Sequence, residues 1–225
     1  ARGAPPDLAI EALMAAARSG AAAQLERREA CVPRLPHGAA PELDGQLEDP
    51  VWTLAAELKP FVGFRTLAPP RAATVAHVAY DATALYVGYR SAEPSLARLR
   101  VAGGAKAGAI FAGDCVDVLI ERRDGNGAWN VVVIPEGASW QGRRTAQSMV
   151  PDPGLRARAA AVLGDGGYTV EVAIPWSGLG ETPAPGLRLR VNLSRLRTVE
   201  PELSSWSQQD ALMYEPENLG TWTLE

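Results

Sequence analysis

One stretch, residues 167–180 (GYTVEVAIPWSGLG), constrains the fold more than any other part of the chain. Large residues alternate there with smaller or charged ones, and a period of two is typical of a β-strand with one buried face. Pro175 then removes a backbone donor, and the glycines after it let the chain reverse. The stretch has no nucleophile beside a base, so we expect its role to be architectural. The large residues are Tyr168, Val170, Val172 and Ile174.

Other segments repeat the pattern and predict partner strands. Residues 72–80 and 84–90 alternate on either side of a short turn, which indicates a hairpin. Residues 113–122 and 128–137 flank the turn DGNG and indicate a second hairpin. In residues 187–197, leucines and a valine occupy one face and polar residues the other. These segments predict an all-β fold, an antiparallel β-sandwich.

Weaker patterns surround these strands. Residues 31–35 are compatible with a short first strand, and the turn signal ahead of Pro50 predicts a short helix that points Trp52 inward. After Gly137 the pattern fades, and we expect Trp140 to be exposed among polar and basic neighbours. Residues 155–164 indicate one more strand, with a short helix as the competing interpretation.

The N-terminal part of the chain has a different character. Residues 5–28 are rich in alanine, with leucines at helical spacing, and predict an amphipathic helix. The helix is either a linker or leader remnant, or a docking element for a protein partner through residues 5–30. We therefore divide the chain into a helical extension over residues 1–38 and a sandwich over residues 39–225. The chain begins at Ala1 and not at a Met, which indicates either a processed or a truncated product; if a leader was removed, we expect an extracytoplasmic protein, either periplasmic or secreted.

Composition narrows the classes of function. The formal net charge of −4 gives no electrostatic basis for binding nucleic acid. No apolar run approaches the roughly 20 residues that a transmembrane helix requires. The two histidines, His37 and His77, occur in unrelated settings, so no histidine-linked triad or zinc set can be assembled. We therefore expect a protein that is not an enzyme.

The two cysteines, Cys31 and Cys115, match no metal-binding spacing. In an oxidising compartment they are candidates for one disulfide that closes a long loop. The alternative is a pair of buried thiols, and the sequence leaves both interpretations open.

Seven short segments carry a common resemblance. They are LDGQLEDPVW (43–52), VAYDATALYVGY (78–89), GDCVDVLIE (113–121), GYTVEVAIPWSGLG (167–180), GLRLRVNLSRLR (186–197), SSWSQ (204–208) and EPENLGTWTL (215–224). Taken together, in this order, they resemble the family 9 carbohydrate-binding modules and their DOMON-like relatives, which are β-sandwich domains. The resemblance implies a non-catalytic domain that binds a polysaccharide or oligosaccharide.

The resemblance also implies a binding site. In sugar-binding members of the family, two aromatic side chains clamp a sugar ring while polar residues bind its hydroxyls. A phenyl ring or a thioether offers less stacking surface than an indole, so we expect weakened or altered sugar recognition. The matching positions are Phe111 and the pair Met213-Tyr214 for the clamp, Asp117 for an acidic residue and Asn130 near a basic one, with Trp140 as a further clamp candidate.

Two other ligands follow from the same resemblance. Calcium sites are known in the family, although the role of aspartates in forming turns explains the candidate residues equally well. Some DOMON-like domains hold haem b between Met and His or Met and Lys ligands. A further alternative is a structural subunit of a larger extracytoplasmic complex that has lost sugar binding. The calcium candidates are Asp81, Asp114 and Asp124, and the haem candidates are Met149 or Met213 with His77 or Lys106.

Overall fold

The computed structural model describes residues 28–64, 66–99, 109–209 and 214–225. Two β-sheets dominate these residues. Their strands are β1 (Glu29–Val32), β2 (Ala56–Leu58), β3 (Val62–Gly63), β4 (Thr74–Tyr80), β5 (Ala84–Ala92), β6 (Cys115–Glu121), β7 (Ala128–Val133), β8 (Ser139–Arg144), β9 (Met149–Pro151), β10 (Arg158–Gly164), β11 (Gly167–Pro175), β12 (Arg188–Arg197), β13 (Glu202–Ser205) and β14 (Gly220–Leu224).

Helical structure in the described residues is short. The α-helix α1 spans Trp176–Leu179 and follows β11 directly, where the sequence predicts a reversal of the chain. Five 3-10 helices cover Pro50–Thr53, Leu96–Arg98, Ala109–Ala112, Pro153–Leu155 and Pro216–Asn218.

The large sheet has nine strands in the order β1-β14-β12-β6-β7-β8-β9, with β13 paired to β12 and to β3. The small sheet has five, in the order β10-β11-β5-β4-β2. Every pairing is antiparallel except that of β1 with β14. The predicted antiparallel β-sandwich is thus confirmed, and β11 lies inside the small sheet, where it pairs on both sides.

The sandwich core lies between the inner faces of the two sheets. Val170 and Val172 of β11 are fully buried there, as are Val191 and Leu193 of β12 on the facing sheet. The central strands of both sheets place alternate residues in this layer, so the period of two in the sequence becomes the division between core and outer face.

Tyr89 of β5 crosses this core. Its ring is fully buried, and its hydroxyl donates to the backbone carbonyl of Asp117 in β6 at 2.6 Å. A single side chain therefore joins the backbone of the large sheet to a strand of the small one.

A buried ion network closes one end of the sandwich. Glu93, just after β5, is fully buried, and its carboxylate accepts from Arg197 at 2.7 and 2.9 Å and from Arg195 at 3.3 Å. Both arginines belong to β12 of the large sheet and are themselves buried. The three charges satisfy one another where the apolar layer ends.

Part of the outer face of the small sheet is covered by residues 42–55. Glu171 of β11 is fully buried beneath them and accepts three hydrogen bonds, from the backbone N–H groups of Asp44 and Gly45 and from the indole of Trp52. Trp52 is buried, as predicted, in the 3-10 helix Pro50–Thr53. The turn sequence and the tryptophan thus dock on one carboxylate.

The structure differs from the predictions in two places. The unpatterned segment after Gly137 forms β8 and β9, and Trp140 is 4% exposed instead of exposed at the surface. The strand β1 pairs with β14, so the sandwich begins before the predicted boundary at residue 39. The predicted helix over residues 5–28 lies outside the described residues, apart from Arg28.

Candidate functional site

The outer face of the large sheet carries a group of polar residues. Polar residues on the outer face of a sheet are normally exposed to solvent, but most of these are buried. We call Asp117, Asn130, Arg144, Asn192 and Ser194 the polar patch. Strand register places Asp117 opposite Ser194, while Asn130 and Asn192 flank Leu119 on either side. All five are at most 9% exposed.

Arg144 connects the members of the patch. Its Nη1 donates to Oδ1 of Asn130 at 3.3 Å and lies 4.0 Å from Oδ2 of Asp117. Asn130 in turn donates to the backbone carbonyl of Val118 at 3.2 Å, which fixes its amide. The guanidinium of Arg144, on β8, therefore lies beside Asn130, near which the resemblance implies a basic residue.

Burial dominates the electrostatics of the patch. It raises the pKa of Asp117, although the charge of Arg144 and hydrogen bonds from Ser194 act in the opposite direction. Burial also lowers the pKa of Arg144, against the pull of Asp117. Oδ1 of Asp117 has no hydrogen-bond partner among the described residues. An unpaired carboxylate oxygen is costly to bury, so a donor that reached it would be stabilising.

Two of the predicted aromatic residues lie over this same face. Phe111, in the 3-10 helix Ala109–Ala112, is half-buried, and its ring lies 5.5 Å from the guanidinium carbon of Arg144. Tyr214 is 7% exposed, packs against Leu119, and donates its hydroxyl to Glu121 at 2.7 Å. Because Phe111 packs toward the start of β6 and Tyr214 toward its end, Asp117 lies between them.

The other two clamp candidates do not add to this arrangement. Trp140 packs under Phe111 in an apolar cluster with Val132 and Leu196, so its indole presents no open face. The interpretation of Trp140 as a sugar-stacking residue assumed an exposed side chain, and that assumption is wrong. Met213 lies outside the described residues.

Sequence reasoning missed Arg144, and it also missed two glutamines. Gln208 and Gln209 are buried, and their side-chain amides have atoms that lack a partner in the described part of the chain. They follow Ser207, which exchanges hydrogen bonds with Asn192 of the patch. The motif SSWSQ gave a position for Gln208 but no indication of which way it faces.

The calcium candidates lie at three separate turns. Asp81 accepts hydrogen bonds from Thr83 and Ala84 within its own turn. Asp114 accepts from Thr198 just before β6, whereas Asp124 pairs with Arg122 beyond the other end of that strand. The described residues contain no group of three or more His, Cys, Asp or Glu side chains that could hold a metal ion. The three aspartates therefore do not form one shared site.

The cysteine and haem candidates are also apart. Cys31 in β1 and Cys115 in β6 are free, and two strands stand between them, so they are separated by at least about 14 Å, beyond the roughly 7 Å limit for a disulfide. His77 lies on the small sheet and Met149 on the large one, so these two cannot ligate one haem iron. Lys106 and Met213 lie outside the described residues.

Two-sheet antiparallel sandwiches occur in many classes of protein, so the fold by itself does not identify the function. The chain belongs to the family described as carbohydrate family 9 binding domain-like, whose model matches residues 43–225. None of the curated proteins matches the chain.

Solved structures share the fold at low sequence identity. One is a family 9 carbohydrate-binding module from Caldicellulosiruptor kristjanssonii in complex with cellotriose, 16% identical, with a TM-score of 0.61 over 88% of this chain and 94% of that one. A second structure of such a module from the same organism, in complex with glucose, is 16% identical, with a TM-score of 0.64 over 88% and 96%. In the ranges that the structure describes, no helix has the length and apolar character needed to cross a bilayer.

Proposed function

We propose that this chain is a non-catalytic carbohydrate-binding module that binds a saccharide on the polar patch, between Phe111 and Tyr214. The observation that supports it best is the buried carboxylate of Asp117, which lies 4.0 Å from the guanidinium of Arg144 and has one oxygen without a donor among the described residues. Charged and amide groups of this kind bind sugar hydroxyls, which both donate and accept. The half-buried ring of Phe111 supplies an adjacent apolar face.

The same geometry supports binding without hydrolysis. Glycosidases use two carboxyl groups about 5 to 10 Å apart. The carboxylates on this face of β6 are Asp117 and Glu121, whose backbones are about 13 Å apart along the strand, and Glu121 is engaged by Tyr214. Because a polysaccharide ligand is encountered outside the cytoplasm, the proposal includes an extracytoplasmic location.

Isothermal titration calorimetry with glucose and cellotriose tests the proposal. We expect saturable binding, and we expect Phe111→Ala to weaken it about tenfold, equivalent to about 1.4 kcal/mol, because the apolar face is removed. Tyr214→Phe retains the ring and should preserve affinity better than Tyr214→Ala. Leu163→Ala, an exposed residue on the small sheet, serves as the matched control.

Absence of binding at millimolar sugar, or equal affinity of the Phe111 and Leu163 variants, would overturn the proposal. That result would favour the structural or interaction subunit instead. One observation supports this alternative function. Tyr214 is 7% exposed and already hydrogen-bonded, so little of its ring is open to a ligand. Copurification from the native source then identifies the partner.

A further inference from the structure

The outer face of the small sheet holds an open groove, on the side of the sandwich opposite the polar patch. Its volume is about 540 Å³, within the roughly 300 to 1000 Å³ that small-molecule sites occupy. The loop Gln46–Glu48 borders it. None of the residues that line it belongs to the proposed sugar site.

The floor of the groove is one straight row of cross-strand neighbours. Val75 of β4 pairs with Arg90 of β5, Arg90 pairs with Thr169 of β11, and Thr169 pairs with Val162 of β10. The row therefore runs across four strands, about 14 Å from end to end. From Val75 to Val162, the side chains of the row are apolar, cationic, hydroxyl-bearing and apolar.

Arg90 is the distinctive member of the row. Its side chain is exposed, and its guanidinium makes only a long contact of 3.5 Å with the backbone carbonyl of Leu47. It has no carboxylate within ion-pair distance among the described residues, although Glu48 and Asp165 line the same groove. The guanidinium of Arg90 thus faces the open space with one long hydrogen bond, and the carboxylates of Glu48 and Asp165 line the same space without pairing with it.

We propose that this groove is a second saccharide-binding site, specific for a neutral oligosaccharide chain. Sugar rings present C–H faces that suit Val75 and Val162, and their hydroxyls can accept from Arg90 while donating to Glu48 and Asp165. Two carboxylates against one guanidinium disfavour an acidic glycan. The inference shares its ligand class with the proposed function but depends on different residues.

Titration of the ¹⁵N-labelled full chain with cellohexaose, followed by amide chemical shifts, tests the inference. We expect the amides of Gly167 and Thr169 to shift in a saturable transition separate from that of Asp117 and Asn130. Arg90→Ala should weaken the groove transition at least tenfold and leave the patch transition unchanged. Arg158→Ala, an exposed arginine on β10 outside the groove, is the matched control and should change neither transition.

A second variant blocks the groove sterically. A Cβ placed on Gly164 meets no atom within 4 Å, so Gly164→Trp can fill the space without strain in the strand, and it should abolish the groove transition. An oligomer of galacturonic acid should not bind in the groove.

The outcomes separate the two proposals. Shifts confined to the polar patch, unchanged affinity in both groove variants, or preferential binding of the acidic oligomer in the groove would overturn the second site. Shifts at the groove alone would support it and overturn the proposed site on the large sheet. The lack of any shift would overturn both.

Discussion

Glu93 shows how one residue joins the two sheets. It follows β5 of the small sheet, while its partners Arg195 and Arg197 belong to β12 of the large one. Since all three side chains are at most 2% exposed, no water replaces a partner that is removed. A charge left alone in such a place is costly, far more so than at the surface.

We therefore expect Glu93→Gln to lower the free energy of unfolding by about 3 to 5 kcal/mol, measured by urea denaturation at pH 7. The matched control is Glu29→Gln, which breaks the exposed pair with Arg188 and should cost less than about 1 kcal/mol. Equal costs for the two variants would contradict the structural role of Glu93.

The effect should also depend on pH. Hydrogen bonds from Arg197 hold the pKa of Glu93 below its ordinary value of 4.5. The stabilisation is therefore fully present above about pH 4.5 and lost as the pH falls through the lower pKa of the folded state. The difference in melting temperature between wild type and Glu93→Gln should shrink over that acidic range, and a constant difference would argue against it.

At the same scale, the sequence predicts some members of the candidate site and misses others. Phe111, Asp117 and Tyr214 could be placed because the family segments fix their positions along the chain. Arg144 could not, because Arg143 and Arg144 are adjacent and only the register of β8 against β7 decides which one faces the patch. Trp140 was expected to be exposed because its neighbours in sequence are polar, but its neighbours in space are apolar.

At the scale of elements, the docking of segment 42–55 on the small sheet depends on one hydrogen-bond acceptor, the carboxylate of Glu171. The carboxylate of Glu171 receives two backbone donors and the indole of Trp52, so it holds the turn and the 3-10 helix onto the small sheet. Burial raises the pKa of Glu171, although these hydrogen bonds counteract the shift.

Glu171→Gln should destabilise the protein by about 1 to 3 kcal/mol, because an amide replaces one acceptor oxygen with a donor and leaves a buried donor unpaired. Urea unfolding measures this cost. The comparison is Glu57→Gln, an exposed residue on β2 of the same sheet, which we expect to change stability by less than about 0.5 kcal/mol. If both substitutions cost the same, the docking role of Glu171 is refuted.

Strand prediction succeeded where large apolar residues alternate with smaller or polar ones in the sequence. The hairpins β4–β5 and β6–β7 and the strands β11 and β12 follow from this alternation, whereas β10 follows from the turn that joins it to β11. β8 was missed although its residues alternate in burial, because the buried ones, Trp140, Gly142 and Arg144, share no common polarity. Alternating burial can be predicted from a sequence only when polarity alternates with it.

For the molecule as a whole, β1 tests where the sandwich begins. It pairs in parallel with β14, and its Val32 is fully buried in the core. A chain that lacks residues 1–33 should be less stable than one that lacks residues 1–27 by about 2 kcal/mol or more, because an apolar side chain and a row of hydrogen bonds are lost. Thermal melts of the two truncations compare them directly, and equal melting temperatures would place the boundary at the predicted residue 39.

The hydroxyl of Tyr89 links the interior of the sandwich to the candidate site. Since it holds the backbone of Asp117 from across the core, the height of that carboxylate above the sheet is set by the spacing of the two layers. Under the proposed function, core substitutions far from the bound sugar would alter affinity by moving this one anchor, and selection for ligand preference would act on residues that a ligand never touches.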